Sequence, residues 1–451
     1  MKKLLLTFYI LHFTFYIFPQ EIKKGAVYDY ARKIVDTMAS QSMHGRGYVN
    51  GGDSIAANYI KTEFKKFGLK SFTGDDYYQR FTFPVNTFPG EIYFMTVEKK
   101  LYEDISGRDA GRNYLIDCAS PSIKGNFKVV LLDSSVVYSE KLFSKFKKQK
   151  FKNKFLLIDS TNIKDKEKLK IFNEAILNPY HAKGIIVCKS VQSLPKIGNN
   201  FKIGVWDVSQ VVSSYPVIEM LKWSEPSMKE ILSVNITIEN KFIPNHPAQN
   251  VIGYVQGSEH PDSFIVFSAH YDHLGQMGKD TYFPGANDNA SGSAMLLNLA
   301  RYYSMPEHKP KYSIVFMAFC GEEVGLLGSK YYTEHPLFPM KNIRFLLNMD
   351  IMGTGEDGIT VVNGTLFKTE FDKLKEINTQ NNFIKDVKIR GKAANSDHYF
   401  FAENGVKACF IYTMGGIKAY HDIYDRAETL PLNEFENLFK LITKFGDYLQ
   451  N

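Results

Sequence analysis

Glu322 and Glu323 stand side by side in FMAFCGEEVGLLGS, just behind an apolar run and a glycine. Like charges at the end of a buried strand are costly unless something offsets them. Four other places in the second half of the chain offer similar groups. His270, Tyr271, Asp272 and His273 follow SFIVFSA, and Asp288 follows the loop TYFPGA. Asp350 lies inside FLLNMDIMG, and Tyr420, His421 and Asp422 follow VKACFIYT and a glycine turn. None of the five puts a cysteine among its polar residues. Imidazole and carboxylate without thiolate suit zinc at a hydrolytic site, and less specifically manganese or cobalt. Singly, each place has a plainer reading: a histidine after a strand is commonly structural, and Asp288 could be the N-terminal acid of a helix. Together they point to a metal centre.

Periodicity names the elements that would position these groups. From about 244 to 451, NVIGYVQG, SFIVFSAH, YSIVFMAF, IRFLLNMDIMG and VKACFIYT read as strands. ASGSAMLLNLARYYS, VGLLGSKYYTEH, SDHYFFAEN and LNEFENLFKLITKFGDYL read as helices between and after them. Such alternation predicts an α/β fold with a mostly parallel central sheet and helices on both faces. Sites in such sheets form beyond the carboxyl ends of the strands, where the candidate residues fall. Between about 91 and 243, FKVVLLD, KFLLID, KGIIVCK and SVNITIEN are short β runs separated by turn-rich and lysine-rich pieces. This stretch has no metal-ligand spacing and predicts an inserted β-rich domain. Residues 21–90 supply the helix AANYIKTEFKKFGLK, stopped by Gly68, and then the strand YYQRFTFPV.

At 451 residues the chain exceeds what one core usually covers, and its 44% hydrophobic and 23% charged composition is globular. The net charge of +7, from 55 basic and 48 acidic residues, owes much to KLFSKFKKQKFKNK. Without an accompanying nucleic-acid motif that run reads as a solvated face, and no nucleic-acid partner is expected. Two lysines and an apolar run of about fifteen residues open the chain, the layout of a secretory signal peptide. Residues 1–20 are therefore expected to be removed and the protein exported to periplasm, cell surface or medium, with an uncleaved anchor as the alternative. The run falls short of the roughly 20 residues of a membrane span, so no stable membrane insertion is expected after cleavage. Cys118, Cys188, Cys320 and Cys409 lie far apart without a CxxC. That favours small buried apolar roles over zinc ligation or disulfides. No sequence feature sets an oligomeric state.

In their order along the chain, SAHYDHLG, PGANDNASGSA, FCGEEVGLLGS, NMDIMG, SDHYFF and YHDIYD resemble the motifs of a zinc aminopeptidase family. It is metallopeptidase family twenty-eight, bacterial leucyl aminopeptidase type, which also contains glutamate carboxypeptidases and glutaminyl cyclases. GRGY, AANYIKTEFKKFGL and YYQRFTF resemble the family's N-terminal part. The middle region resembles, in strand pattern and position, the protease-associated domain inserted in many members. The resemblance implies a peptidase domain from 21–90 and 244–451 with that insertion at 91–243.

It further implies two zinc ions per chain bridged by Asp288. His270 and Asp350 would hold one ion, and Glu323 and His421 the other. Asp272 would orient the His270 imidazole. Glu322 would be the general base rather than a ligand, and Tyr420 would donate to a developing oxyanion. His398 and His273 have no ligand role in this scheme; Ser396 or Asp397 would cap a short helix beside His398. Gly285, Gly292 and Gly321 would allow close backbone approach. The implied function is an exported dinuclear zinc aminopeptidase acting on peptide or protein N-termini. A carboxypeptidase or dipeptidase would need cations for the substrate carboxylate, and this region's arginines are few: Arg301, Arg344, Arg390 and Arg426. A glutaminyl cyclase would run on one zinc. An inactive binding module would lack ligands or base that are all present here.

Overall fold

The computed structural model describes residues 25–98, 109–161, 163–198, 200–222 and 228–451. The expected signal segment, 1–20, lies outside them. Among the described residues no helix is long and apolar enough to cross a membrane.

Alternation builds the central sheet. In the strand His260–His270, Phe264 and Val266 join one apolar core while Ile265, Phe267 and Ala269 join another. Tyr312–Phe319 divides the same way, Val315 and Met317 against Ile314, Phe316 and Ala318. Strands buried on both faces read as continuous apolar runs, and each fully buried side chain of this size contributes about 1.5–3 kcal/mol. Eight strands pair in the order Tyr78–Thr87, Lys241–Val255, Tyr312–Phe319, His260–His270, Ile343–Met349, Ala408–Thr413, Ile359–Val362, Val387–Ile389. The four from Tyr312–Phe319 to Ala408–Thr413 are mutually parallel. Antiparallel joints flank them on both sides, so the parallel character belongs to the centre of the sheet. Helices Ala26–Met38, Gly292–Tyr303 and Phe435–Leu449 cover one face, while Leu327–Glu334 and His398–Glu403 cover the other through Tyr332 and Phe401.

From His260–His270 the chain passes to Tyr312–Phe319 on one side and then to Ile343–Met349 on the other. The strand order reverses at the strand ending in His270, which opens a crevice there.

Between 92 and 238 the described residues form a second, seven-stranded sheet, and strands are not all they form. Ile123–Leu132, Lys154–Ile158, Gly184–Ser190 and Val217–Lys222 pair in parallel. Parallel neighbours need long crossovers, and the first two carry the helices Glu140–Lys147 and Lys166–Ile176. The β-rich expectation omits both. The lysine-rich run supplies the first of them, which buries only Phe146. The division at 243/244 falls inside Lys241–Val255, whose residues 241–243 already pair with Tyr78–Thr87. Cys188, Cys320 and Cys409 are buried and Cys118 half-buried, all as free thiols.

Candidate metal centre

Parallel register decides what meets at the crevice. His270 is level with Phe319, and Ser268 with Asn348. His270, the Gly321–Glu323 turn and Asp350 therefore leave the sheet at one edge. Met349 is level with Ile411, which brings the loop carrying His421 out at the same edge.

The side chains converge there. His270 Nε2 lies 3.4 Å from Asp288 Oδ1 and 3.3 Å from Asp350 Oδ2. His421 Nε2 lies 3.2 Å from Asp288 Oδ2 and 3.0 Å from Glu323 Oε2. Asp288 thus spans the two histidines, one oxygen toward each. Glu322 offers an oxygen within 4.8 Å of ligand atoms of both His270 and Glu323, so proximity alone does not separate ligand from base. His270 Nε2 and Asp350 Oδ1 are buried atoms without a hydrogen-bond partner, and such orphans are costly. Divalent cations would satisfy both orphans and offset the crowding of four carboxylates, and zinc accepts these donor types. The residues present fit such ions.

The electrostatics divide the two glutamates. Burial opposes charge on His270, but Asp350, Glu322 and Asp288 hold its imidazole well above the ordinary range. Burial also opposes charge on His421, which Glu323 and Asp288 raise to about 12. Burial works against ionised Glu323, yet His421 and His273 bring it down to about 2. Glu322 goes the other way. Burial pushes it well above the usual carboxylate range; His270 opposes, and Glu323 and Asp350 add to the rise. One glutamate is held as an anion and its neighbour is primed to take a proton.

Backbone contacts fix these groups. The Asp272 carboxylate accepts Tyr48 Oη–H at 2.5 Å and the N–H groups of Glu323 and Glu322 at 3.3 and 3.4 Å. Its Oδ1 is 3.8 Å from His270 Nδ1, whose nearer partner is the Asp272 carbonyl at 3.2 Å. The Asp272 side chain therefore anchors the glutamate turn more directly than it orients the imidazole. Asp425 accepts the N–H groups of Asn287 and Asp288 at 2.8 and 2.9 Å. A Cβ on Gly292 would come within 2.5 Å of the Met349 carbonyl, so only glycine lets that helix meet the strand leading to Asp350.

Some residues make contacts that the sequence reading does not give them. His273 bonds Glu323 Oε1 through Nδ1 at 2.5 Å. Asp397 makes no capping bond to the helix His398–Glu403. Ser396 serves Asp350 instead, accepting from Asn348 Nδ2 at 2.8 Å and donating to Asp350 Oδ2 at 3.1 Å. Arg46 sits in the GRGY stretch that drew notice only as a resemblance. Its buried guanidinium donates to the carbonyls of Tyr271, Met38, Pro284, Gly285 and Asp288 at 2.7–3.3 Å. Flanking glycines were its only signal: a Cβ on Gly47 would fall 2.4 Å from Gly275 Cα. His398 packs against Phe410, and burial pulls its ring down to about 4. Tyr420 stacks on His421 with ring centres 4.1 Å apart and is 44% exposed.

Sheet and cluster together define an α/β protein with a candidate metal centre at the strand-order switch. Residues 250–446 match the model of Peptidase family M28. Aminopeptidase YwaD of Bacillus subtilis is 29% identical over 256 residues, 54% of this chain and 49% of its own length. A probable zinc metalloprotease of Pyrenophora teres f. teres is 35% identical over 144 residues, 31% of this chain and 28% of its own. The matches thus span about half or less of these relatives. Among solved structures, a zinc aminopeptidase from Bacillus subtilis aligns with TM-score 0.63 at 20% identity over 93% of each chain. A Peptidase M28 precursor from Shewanella amazonensis aligns with TM-score 0.60 at 15% identity, covering 94% of this chain and 97% of that one. At these identities the likeness establishes the fold.

Proposed function

We propose that the chain is a zinc aminopeptidase that uses two zinc ions to hydrolyse the N-terminal bond of peptides. The observation that carries this reading is Asp288, with one oxygen toward His270 and the other toward His421. Each histidine also has a carboxylate of its own, Asp350 or Glu323. Two ligand sets sharing one carboxylate suit two ions. His270 and Asp350 would hold one, Glu323 and His421 the other, and Asp288 both. Zinc bound there supplies Lewis acidity toward a peptide carbonyl and makes water more acidic.

Glu322 would take the proton of the attacking water and return it to the leaving amine. Its upward shift, beside a Glu323 held ionised by histidines, supports that division. Asp272 would keep both glutamates in register through their N–H groups. Tyr420, at the exposed rim beside His421, would donate to the developing oxyanion. The names of the relatives, an aminopeptidase and a zinc metalloprotease, support the substrate class and the metal. The reading includes export and a protease-associated role for the inserted region.

Zinc content and a scan of aminoacyl chromogenic substrates test it. Near two zincs per chain and cleavage of free but not blocked N-termini are expected. Activity confined to blocked peptides would refute the aminopeptidase reading; one zinc would favour the cyclase, and none a binding module. Glu322→Gln should abolish turnover and keep the zinc, and wild-type hydrolysis by that variant would overturn the base assignment.

A further inference from the structure

The inserted region reaches into the candidate site. The core of its sheet, around Ile116, Trp206 and Ile218, takes in Leu274, Met277, Phe283 and Ile423 from loops around the crevice. Trp206 stacks on Phe283 with ring centres 4.6 Å apart. Its backbone N–H donates to the carbonyl of His421 at 2.9 Å, while its indole N–H is held by the Ile116 carbonyl at 2.7 Å. Lys202 is buried, with Nζ 2.8 Å from Asp422 Oδ2 and donating also to the Tyr420 carbonyl. The Asp422 carboxylate in turn accepts the N–H groups of Tyr420 at 3.1 Å and Tyr424 at 2.8 Å. The loop around His421 is thus wound on one buried carboxylate whose countercharge comes from the insertion. Within it His421 stands at φ +51°, a left-handed conformation that its surroundings must impose.

We propose that Lys202 of the inserted region is a positioning residue for the metal centre, pinning the 420–424 loop so that His421 points at Asp288 and Glu323. This rests on the reading of His421 as a ligand. Without Lys202, Asp422 keeps a buried charge with no countercharge, held only by two N–H groups, and must turn toward water, and the loop loses its shape. Partners that orient metal ligands commonly matter by 10–100-fold in metal affinity.

The test is zinc affinity of the full chain, measured by competition with a chromogenic chelator. Lys202→Met is compared with Lys222→Met, which breaks the Lys222–Asp159 pair of the second sheet (2.6 Å), and with His421→Ala. K202M should weaken zinc binding by about tenfold or more, K222M should leave it unchanged, and H421A should weaken it further. If K202M binds zinc like wild type while H421A does not, the inference falls and the ligand reading stands. Equal losses in K202M and K222M would mean general destabilisation and would also overturn it. Wild-type zinc affinity in H421A would remove the ligand reading itself, and this inference with it. Should K202M not fold, the double variant K202M/D422N, which leaves no orphan charge, must show the same loss; wild-type affinity there would refute the proposal.

Discussion

Replacing Arg46 should damage fold and site together. A guanidinium has five N–H donors, and all five are used, by the carbonyls of Tyr271, Met38, Pro284, Gly285 and Asp288. Among these, the Gly285 carbonyl also receives Ala290 N–H. Arg46→Met therefore strands about four buried carbonyls, at ~1 kcal/mol or more each. The buried cation, pulled down to about 10 by its desolvation, disappears with the substitution and returns part of that loss. A net destabilisation of about 3–5 kcal/mol follows, in line with removing one partner of a buried charged network. Against a domain stability of about 5–15 kcal/mol that is a large fraction. Arg46→Lys keeps the charge but offers three donors from one point, so at least one of those four carbonyls stays unpaired and the loss should be about 1 kcal/mol or more. Urea midpoints of the metal-free protein give the order wild type, R46K, R46M. Because Asp288 is one of the carbonyls held, zinc affinity should fall in the same order. If both variants unfold within about 1 kcal/mol of wild type and bind zinc equally well, Arg46 does not organise the Asp288 loop, and the argument from its five bonds fails.

Two further substitutions separate the roles of the acidic residues. Tyr48→Phe removes only the hydroxyl that Asp272 accepts, since the ring stays packed on Phe83 and His246. We expect about tenfold lower kcat/KM with zinc content kept, and unchanged kinetics would show that Asp272 does not need that bond. Glu323→Ala takes the carboxylate from between His273 and His421; zinc per chain, counted by mass spectrometry, should drop from two to one, and two retained ions would contradict Glu323 as a ligand.

How much of this is legible in the sequence depends on the range of each signal. The apolar alternation of SFIVFSAH and YSIVFMAF is local, and periods of 2 and 3.6 show within a few residues. Parallel alternation then sends His270, Glu322, Glu323 and Asp350 to one edge. The helix Glu140–Lys147 stays hidden because it buries a single residue, so its apolar stripe is thin. The supports are hidden for another reason. Arg46 reaches Asp288 across 242 positions, Tyr48 reaches Asp272 across 224, and Lys202 reaches the Tyr420 carbonyl across 218. Topology chooses partners at such separations, and no local pattern records the choice.

Most of these supports also share a mode of contact. Arg46 grips the carbonyls of Gly285 and Asp288, and Asp425 grips the N–H groups of Asn287 and Asp288. Asp272 takes the N–H groups of Glu322 and Glu323, and Trp206 takes the carbonyl of His421. Each holds the main chain of a candidate site residue rather than its side chain. Main-chain groups are the same in every residue, so the loops that carry the candidate ligands show no sign of what fixes them. Holding the backbone also leaves the ligand side chains free to meet an ion, while denying their loops the freedom that loops usually have. A centre made almost wholly of loop residues can then be as well ordered as one built on strands, provided the distant partners, two from before the first strand and two from the insertion, stay in place.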